Sequence, residues 1–455
     1  RSSDLMEPVF QADPIRLMIA SIVGIALLLF LIIKFKLHPV ISMMISAIVI
    51  GIGAGMPLQL ISETVEKGVG KTLQGIALLI GLGSMFGGIL EISGGAQQIA
   101  QTLIRKFGTK KAGWALGLTG LVIGTTVFFE AGVVILVPIA FNVAKQTKKS
   151  TLYYAIPLLA GLASGYAFVP PSAGSVLVAN VLGVNLGTMI AVGIPVALVA
   201  TMIAGIVWGK VIGNKIVTNL PETVKELDEE KKELPSFGIV FTVIAIPIVL
   251  ILLSTISSYL LSSEQVIAVL QFLGEPFVAL TIATLAAMYL LGTRMGYDRK
   301  QLKMVLDRSL KPVGMILLVI ASGGVIRWML QDSGLGEMIG PLLEKSGMPL
   351  ILIGFFIAFL VRAAVGSSIV AMTMASGIMA AMPAIADCSM LYRAALCCAI
   401  CGGATALSHV NDAGFWLVGT FLEIDEKTTL KSWTVMETLI GITGLVLGLV
   451  ISIFA

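Results

Sequence analysis

Residues 362–371 read RAAVGSSIVA. They lie inside an apolar stretch, 350–385, and interrupt it with a charge, Arg362, and then with the run Gly366-Ser367-Ser368. In lipid every unpaired backbone amide or carbonyl costs several kcal/mol, so a broken helix survives only where protein or a water-filled cavity surrounds it. A guanidinium there costs at least about 2.5–3.5 kcal/mol and is kept for a function or a partner. A second interrupted stretch, 113–141, breaks at Gly124-Thr125-Thr126 and carries Glu130 a little over one turn later. Two further apolar stretches, 152–180 and 394–420, are broken by Val169-Pro170-Pro171-Ser172-Ala173-Gly174 and by Ser408-His409-Val410-Asn411-Asp412-Ala413-Gly414.

The rest of the chain supports a membrane reading. Hydrophobic residues make up 57% of the 455 and charged residues 12%, against roughly 45–50% and about 25% in soluble domains. Mean hydropathy is +1.00. Such a chain cannot cover a folded surface with polar groups, which excludes soluble enzymes, nucleic-acid binders and disordered scaffolds. Uninterrupted apolar runs fall at 15–33, 39–53, 72–90, 186–211, 237–261, 277–291, 313–330 and 439–455. The first is long enough for a bilayer core of about 30 Å. The four cysteines, Cys388, Cys397, Cys398 and Cys401, lie in or beside apolar segments without disulfide spacing. They read as small buried residues, and neither a metal site nor a cofactor is expected.

Lys and Arg concentrate in cytoplasmic loops. Placing each basic cluster inside (Lys34 and Lys36, Arg105 to Lys111, Lys145 to Lys149, Lys210 and Lys215, Arg294 to Lys311, Lys427 and Lys431) forces 113–141 to enter and leave on one side. The result is an all-α polytopic membrane protein with about ten full crossings, two re-entrant hairpins and both termini outside the cytoplasm. The organisation expected is a polar tail over 1–14, in which Met6 can be the true start, a first repeat over 15–213, a cytoplasmic linker over 214–236, and a second repeat over 237–455.

The repeat rests on ordered matches. At an offset of 240, Gly83, Leu90, Ser93, Gly94 and Ile99 match Gly323, Leu330, Ser333, Gly334 and Ile339, and Ala173-Gly174 match Ala413-Gly414. With a shift of two, Gly124-Thr125-Thr126 falls on Gly366-Ser367-Ser368. An odd number of crossings per half makes the copies inverted, each with a re-entrant hairpin and a broken helix, the plan of secondary transporters.

Four matched breaks predict one central polar site. Half-helix N-termini offer donors to an anion, and freed carbonyls can hold a cation or hydroxyl groups. The candidate substrate contacts are Gly124, Thr125, Thr126, Pro171, Ser172, Arg362, Gly366, Ser367, Ser368, His409 and Asn411. Arg362 reads either as a clamp on a carboxylate or as the partner of Glu130 or Asp412. Glu130 and Asp412 are the candidate proton carriers. Glu91, Arg327 and Asp332, near helix ends, read as snorkelling residues.

These segments resemble the gluconate permease family of bacterial proton symporters. The residues that carry the likeness are KFKLHP at 34–39, GTTVFFEAGVVILVPIAF at 124–141, VPP at 169–171, RAAVGSSIVA at 362–371 and SHVNDAGFW at 408–416. The resemblance implies import of gluconate or a related sugar acid or small hydroxy acid with protons across the bacterial inner membrane. It also implies a homodimer with a mobile transport domain moving like an elevator. One departure stands out. Where gluconate-type members tend to have a histidine and a PPHPGP-like run, this chain has Tyr166 and Pro170-Pro171-Ser172-Ala173-Gly174-Ser175. Competing readings are sodium coupling, D-amino-acid transport or ion antiport. An intramembrane enzyme is disfavoured, because no Gly-x-Ser-x-Gly elbow precedes His409.

Overall fold

A computed structural model describes residues 13–218, 234–260, 263–334, 348–409 and 412–455. Asn411 and most of the 214–236 segment lie outside the described residues. Among those described there is no strand, as the apolar runs require.

The first half comprises α1 (Pro14–Ile33), α2 (Pro39–Ala54), α3 (Leu58–Ile92), α4 (Gly95–Phe107), α5 (Ala112–Gly124), α6 (Phe129–Thr147), α7 (Leu152–Phe168), α8 (Ala173–Val181) and α9 (Leu186–Lys215). The second comprises α10 (Phe237–Leu260), α11 (Glu264–Leu273), α12 (Pro276–Met295), α13 (Arg299–Asp332), α14 (Leu350–Val365), α15 (Ser368–Ala380), α16 (Met390–Thr405), α17 (Ala413–Phe421) and α18 (Glu426–Ser452). By length and composition, 8 described helices can cross a bilayer, or 9 if α3, bent by 42°, counts as one span. The chain is a multi-pass membrane protein.

Two helices are longer than hydropathy indicates. α3 begins at Leu58 and α13 at Arg299, because both continue as polar-faced helices beyond their apolar runs. They pack along each other, joined by an ion pair of 2.9 Å from Lys67 Nζ to Asp332 Oδ1. A capping box of Asp298 and Gln301 fixes the start of α13. At the start of α18, Thr428 donates its hydroxyl and backbone N–H to Asp425, which holds that exposed carboxyl below its usual range.

The broken helix α7–α8 is the most enclosed element: 89% of its apolar window is buried, against 28% for α10, whose Phe241 and Val249 face outward. Close packing of α5 on α7 depends on glycines. A Cβ on Gly161 would stand 2.1 Å from the carbonyl oxygen of Gly117, and one on Gly120 would stand 2.2 Å from that of Leu158. Neither backbone oxygen can move aside without displacing its helix. Gly161→Val is therefore expected to lower stability by about 1–3 kcal/mol or more, read as earlier thermal unfolding of the detergent-solubilised protein, whereas Gly108→Ala, at an open site, tests only backbone strain at its φ of 71°.

Candidate functional site

The local sequence explains each break. Pro170 and Pro171 lack the N–H that would continue α7 and clash with the preceding turn. Gly366 closes α14 in the left-handed region, at φ 80°, where a side chain would be strained. The half-helices that follow are capped: Ser172 accepts from Ser175 N–H, Ser367 from Val370 N–H, and Asp412 from Gly414 N–H. α6 is the exception. Phe128 at its N-cap supplies no side-chain acceptor, and Glu130 sits in its first turn.

α6, α15 and α17 start around one cavity of about 370 Å³, which is lined by Phe129, Glu130, Tyr166, Arg362, Gly366, Ser367, Ser368, Asp412, Gly414, Trp433 and Glu437, among others. Three helix N-termini, of helices 19, 13 and 9 residues long, thus converge on it. Each contributes a partial positive charge and free N–H groups, an arrangement suited to an anion. The volume is within the range of small-molecule sites.

Arg362 is 3% exposed. Its Nη1 donates to the Gly366 carbonyl at 2.5 Å and its Nη2 to Asp412 Oδ2 at 2.5 Å, while Nε has no hydrogen-bond partner. Of the two acids that could pair with it, the structure selects Asp412. A relay holds Asp412 in place: Trp433 Nε1–H donates to Ser408 Oγ at 2.7 Å, and the Ser408 hydroxyl donates to Asp412 Oδ2. Thr434 Oγ1 donates to the Ser408 carbonyl at 2.5 Å. Trp433 and Thr434 lie on a π-helical turn, Leu430–Thr434, which opens the ladder of α18 beside the cavity. Leu407, at φ 56°, holds the strained backbone of the same break.

Glu437, absent from the sequence-level candidates, is 3% exposed and lines the same cavity. Its Oε1 has no hydrogen-bond partner. Its sequence signal is an acid at the edge of the last apolar segment. Hydropathy misses it because the run begins at 439, whereas α18 begins at Glu426 and places Glu437 three turns inside.

The other candidates divide. Gly124, Thr125, Thr126, Pro171 and Ser172 line a cleft of about 20 Å³ that shares Tyr166 with the main cavity. The Thr125 and Thr126 hydroxyls donate within their own turn, to the carbonyls of Val122 and Ile123. The Ser172 hydroxyl donates to the Tyr166 carbonyl at 2.6 Å. His409 braces the fold instead of facing the cavity: its Nε2–H donates to the Ala363 carbonyl at 3.0 Å. Glu130 is exposed and borders both the central cavity and a larger open vestibule of about 1040 Å³ that also holds Glu91 and Arg308.

Known proteins resemble the chain along nearly its whole length. A family model described as GntP family permease matches residues 16–454. The chain is 37% identical over 437 residues to the low-affinity gluconate transporter of Escherichia coli (strain K12), covering 95% of this chain and 98% of that protein. It is 36% identical to a gluconate permease of Pseudomonas aeruginosa, with 96% and 98% covered, and 35% identical to the Gnt-II system L-idonate transporter of Escherichia coli (strain K12), with 93% and 96% covered. Among solved structures, the YdaH transporter of Alcanivorax borkumensis superposes with a TM-score of 0.59 at 14% identity, covering 85% of this chain and 87% of that one. MtrF of Neisseria gonorrhoeae superposes with a TM-score of 0.61 at 17% identity, covering 84% and 83%. At these identities the two structures speak to fold alone.

Proposed function

The chain belongs to the GntP family of permeases, transporters and not enzymes, and from that premise we propose that it imports gluconate or a closely related sugar acid with protons. The observation that carries this reading is the buried Arg362, with an unpartnered Nε, on a cavity where three helix N-termini meet. Arg362 holds the carboxylate, the α15 N-terminus with Ser367 and Ser368 takes the adjacent oxygens, and Tyr166, on the wall shared with the Thr125–Thr126 cleft, contacts the hydroxylated tail. Relatives named for gluconate and for L-idonate support the six-carbon sugar-acid class.

Charge explains the coupling. Arg362 and Asp412 already neutralise each other, so an incoming carboxylate adds a net negative charge beside Glu437. A proton on Glu437 removes that repulsion. By reciprocity the proton and the anion raise each other's affinity, with a coupling of about 1–3 kcal/mol typical of such linkage. Asp412 is engaged by three donors and Glu130 is exposed, which leaves Glu437 as the carboxyl whose charge the site does not compensate.

The two halves act as inverted repeats. The pairs α5–α6 and α14–α15 are the re-entrant hairpins, and α7–α8 and α16–α17 are the broken helices, with α5 packed on α7 as α14 is on α16. Moving this unit as an elevator against the remaining helices, in a homodimer of the bacterial inner membrane, exposes the cavity to each side in turn. Uptake of labelled gluconate and L-idonate into proteoliposomes tests the reading. An inward proton gradient is expected to drive accumulation, and a sodium gradient at clamped pH is not. Accumulation of neither acid under the proton gradient overturns it.

A further inference from the structure

A second charged cavity lies at the end of the bundle opposite the basic loops. α13 runs to this end from Arg299, α8 and α15 run to it from the central breaks, and α16 starts there. Between these helix ends is a space of about 430 Å³ bordered by Arg327 of α13, Arg393 of α16, Gln331 and the turn at Gly183.

The two arginines are poorly satisfied by the protein. Both Nε atoms are buried and lack a hydrogen-bond partner. Arg393 Nη1 donates to the Leu182 carbonyl at 3.3 Å, and the Arg327 guanidinium lies 5.6 Å from the Trp328 ring centre. No Asp or Glu is among the described residues that line the space, and Asp332, at the same end of α13, is held by Lys67. Two guanidiniums facing one cavity repel each other unless an anion sits between them. Such a cleft also concentrates anions from solution.

We propose that Arg327 and Arg393 form an entry site for the substrate's carboxylate, distinct from the Arg362 cavity and reached first from the side opposite the basic loops. The proposal rests on the sugar-acid reading above. α8, α15 and α16 connect the two places, since their other ends carry Ser172, Ser367 and Thr405 at the centre. At 1.5 Å per residue the separation is roughly 15–20 Å. Gln331 offers a partner to sugar hydroxyls, which a lipid phosphate would not need, and the volume suits a six-carbon acid.

The test uses full-length protein in nanodiscs of zwitterionic lipid, with labelled gluconate as the probe. With the centre disabled by R362Q, weak, saturable and salt-sensitive binding is expected to remain. It is expected to vanish when R327Q and R393Q are added and to persist with R327K and R393K, which keep the charge. With Arg362 intact, the R327Q/R393Q pair should raise the KM for uptake about tenfold and leave the maximal rate nearly unchanged. Should wild-type protein transport gluconate while R362Q, shown folded by an unchanged elution profile and a cooperative thermal transition, and likewise the R362Q/D412N pair bind none, or bind equally with and without the two Gln changes, the entry site falls and the proposed function stands. Arginine-dependent binding in a protein that transports no sugar acid is the opposite outcome: the proposed function falls, and the entry role falls with it, leaving Arg327 and Arg393 as an anion site only. Displacement of gluconate by anionic lipid, with KM unchanged in the double variant, assigns the site to headgroups and also overturns the proposal.

Discussion

Arg362→Ala is expected to abolish sugar-acid uptake and also to destabilise the protein, because it leaves Asp412 buried at 8% exposure without its cation. Breaking a buried ion pair within the fold costs about 3–5 kcal/mol of stability, and losing the guanidinium that pairs with the bound carboxylate costs about 2–5 kcal/mol of binding, roughly 30-fold to several thousandfold in affinity. Two effects are mixed in that variant, and a second one separates them. Arg362→Ala combined with Asp412→Ala removes the stranded charge, so thermal stability should recover toward wild type while uptake stays absent. Recovery of uptake in the double variant would make the pair a structural bridge only. Arg362→Lys is expected to restore stability in part and transport poorly, since an ammonium cannot reach the Gly366 carbonyl, Asp412 and a carboxylate with one planar fork.

Glu437→Gln should uncouple the transporter instead of disabling it. The amide keeps the shape of the side chain and fixes it in the uncharged state, which is the state proposed to accompany the bound anion. Exchange of labelled for unlabelled gluconate at equal pH is expected to continue within about threefold of wild type, less than about 1 kcal/mol. Accumulation driven by a proton gradient is expected to fall to the equilibrium level, and the dependence of exchange on pH should flatten. Normal gradient-driven accumulation by Glu437→Gln would return the proton to Asp412 or Glu130. Glu130→Gln supplies the contrast: lying exposed at the vestibule, it should leave coupling intact.

The breaks that build the site are legible in sequence because their causes are local. Prolines at 170 and 171, glycines at 124 and 366, and capping Ser172, Ser367 and Asp412 interrupt apolar helices wherever they stand. Membrane class is equally local, set by composition. What sequence does not decide is which distant groups meet. Arg362 has two acidic partners available, and only packing brings α17 rather than α6 to its Nη2. The Trp433 and Thr434 contacts to Ser408 join residues about 25 apart along the chain, with no periodic signature. His409 resembles a substrate ligand because one of two histidines in a membrane chain draws notice, yet its ring directs its donor to Ala363. Hydropathy windows also misplace helix ends. They cut α3 and α13 short where these helices turn polar, hiding the Lys67–Asp332 pair, and they begin the last segment two residues after Glu437.

The relatives share nearly the whole length of the chain, but at Tyr166 and Pro170 to Ser175 it departs from the pattern expected of gluconate-type members. The structure puts Tyr166 on the wall between the tip cleft and the central cavity, where a side chain can sort substrates by length. Tyr166→His is accordingly expected to change the ranking of gluconate against shorter hydroxy acids in competition uptake, with overall folding retained.

The transport function rests above all on the cavity at Arg362 binding a sugar-acid anion. Its most direct test is equilibrium binding of labelled gluconate, and of L-idonate as competitor, to purified wild-type protein and to Arg362→Gln at high ionic strength, where any weaker surface capture is screened. One saturable site is expected in wild type, displaced by the competitor and lost in the variant. Saturable binding of equal affinity in both proteins, or none to either acid in wild type, would contradict it.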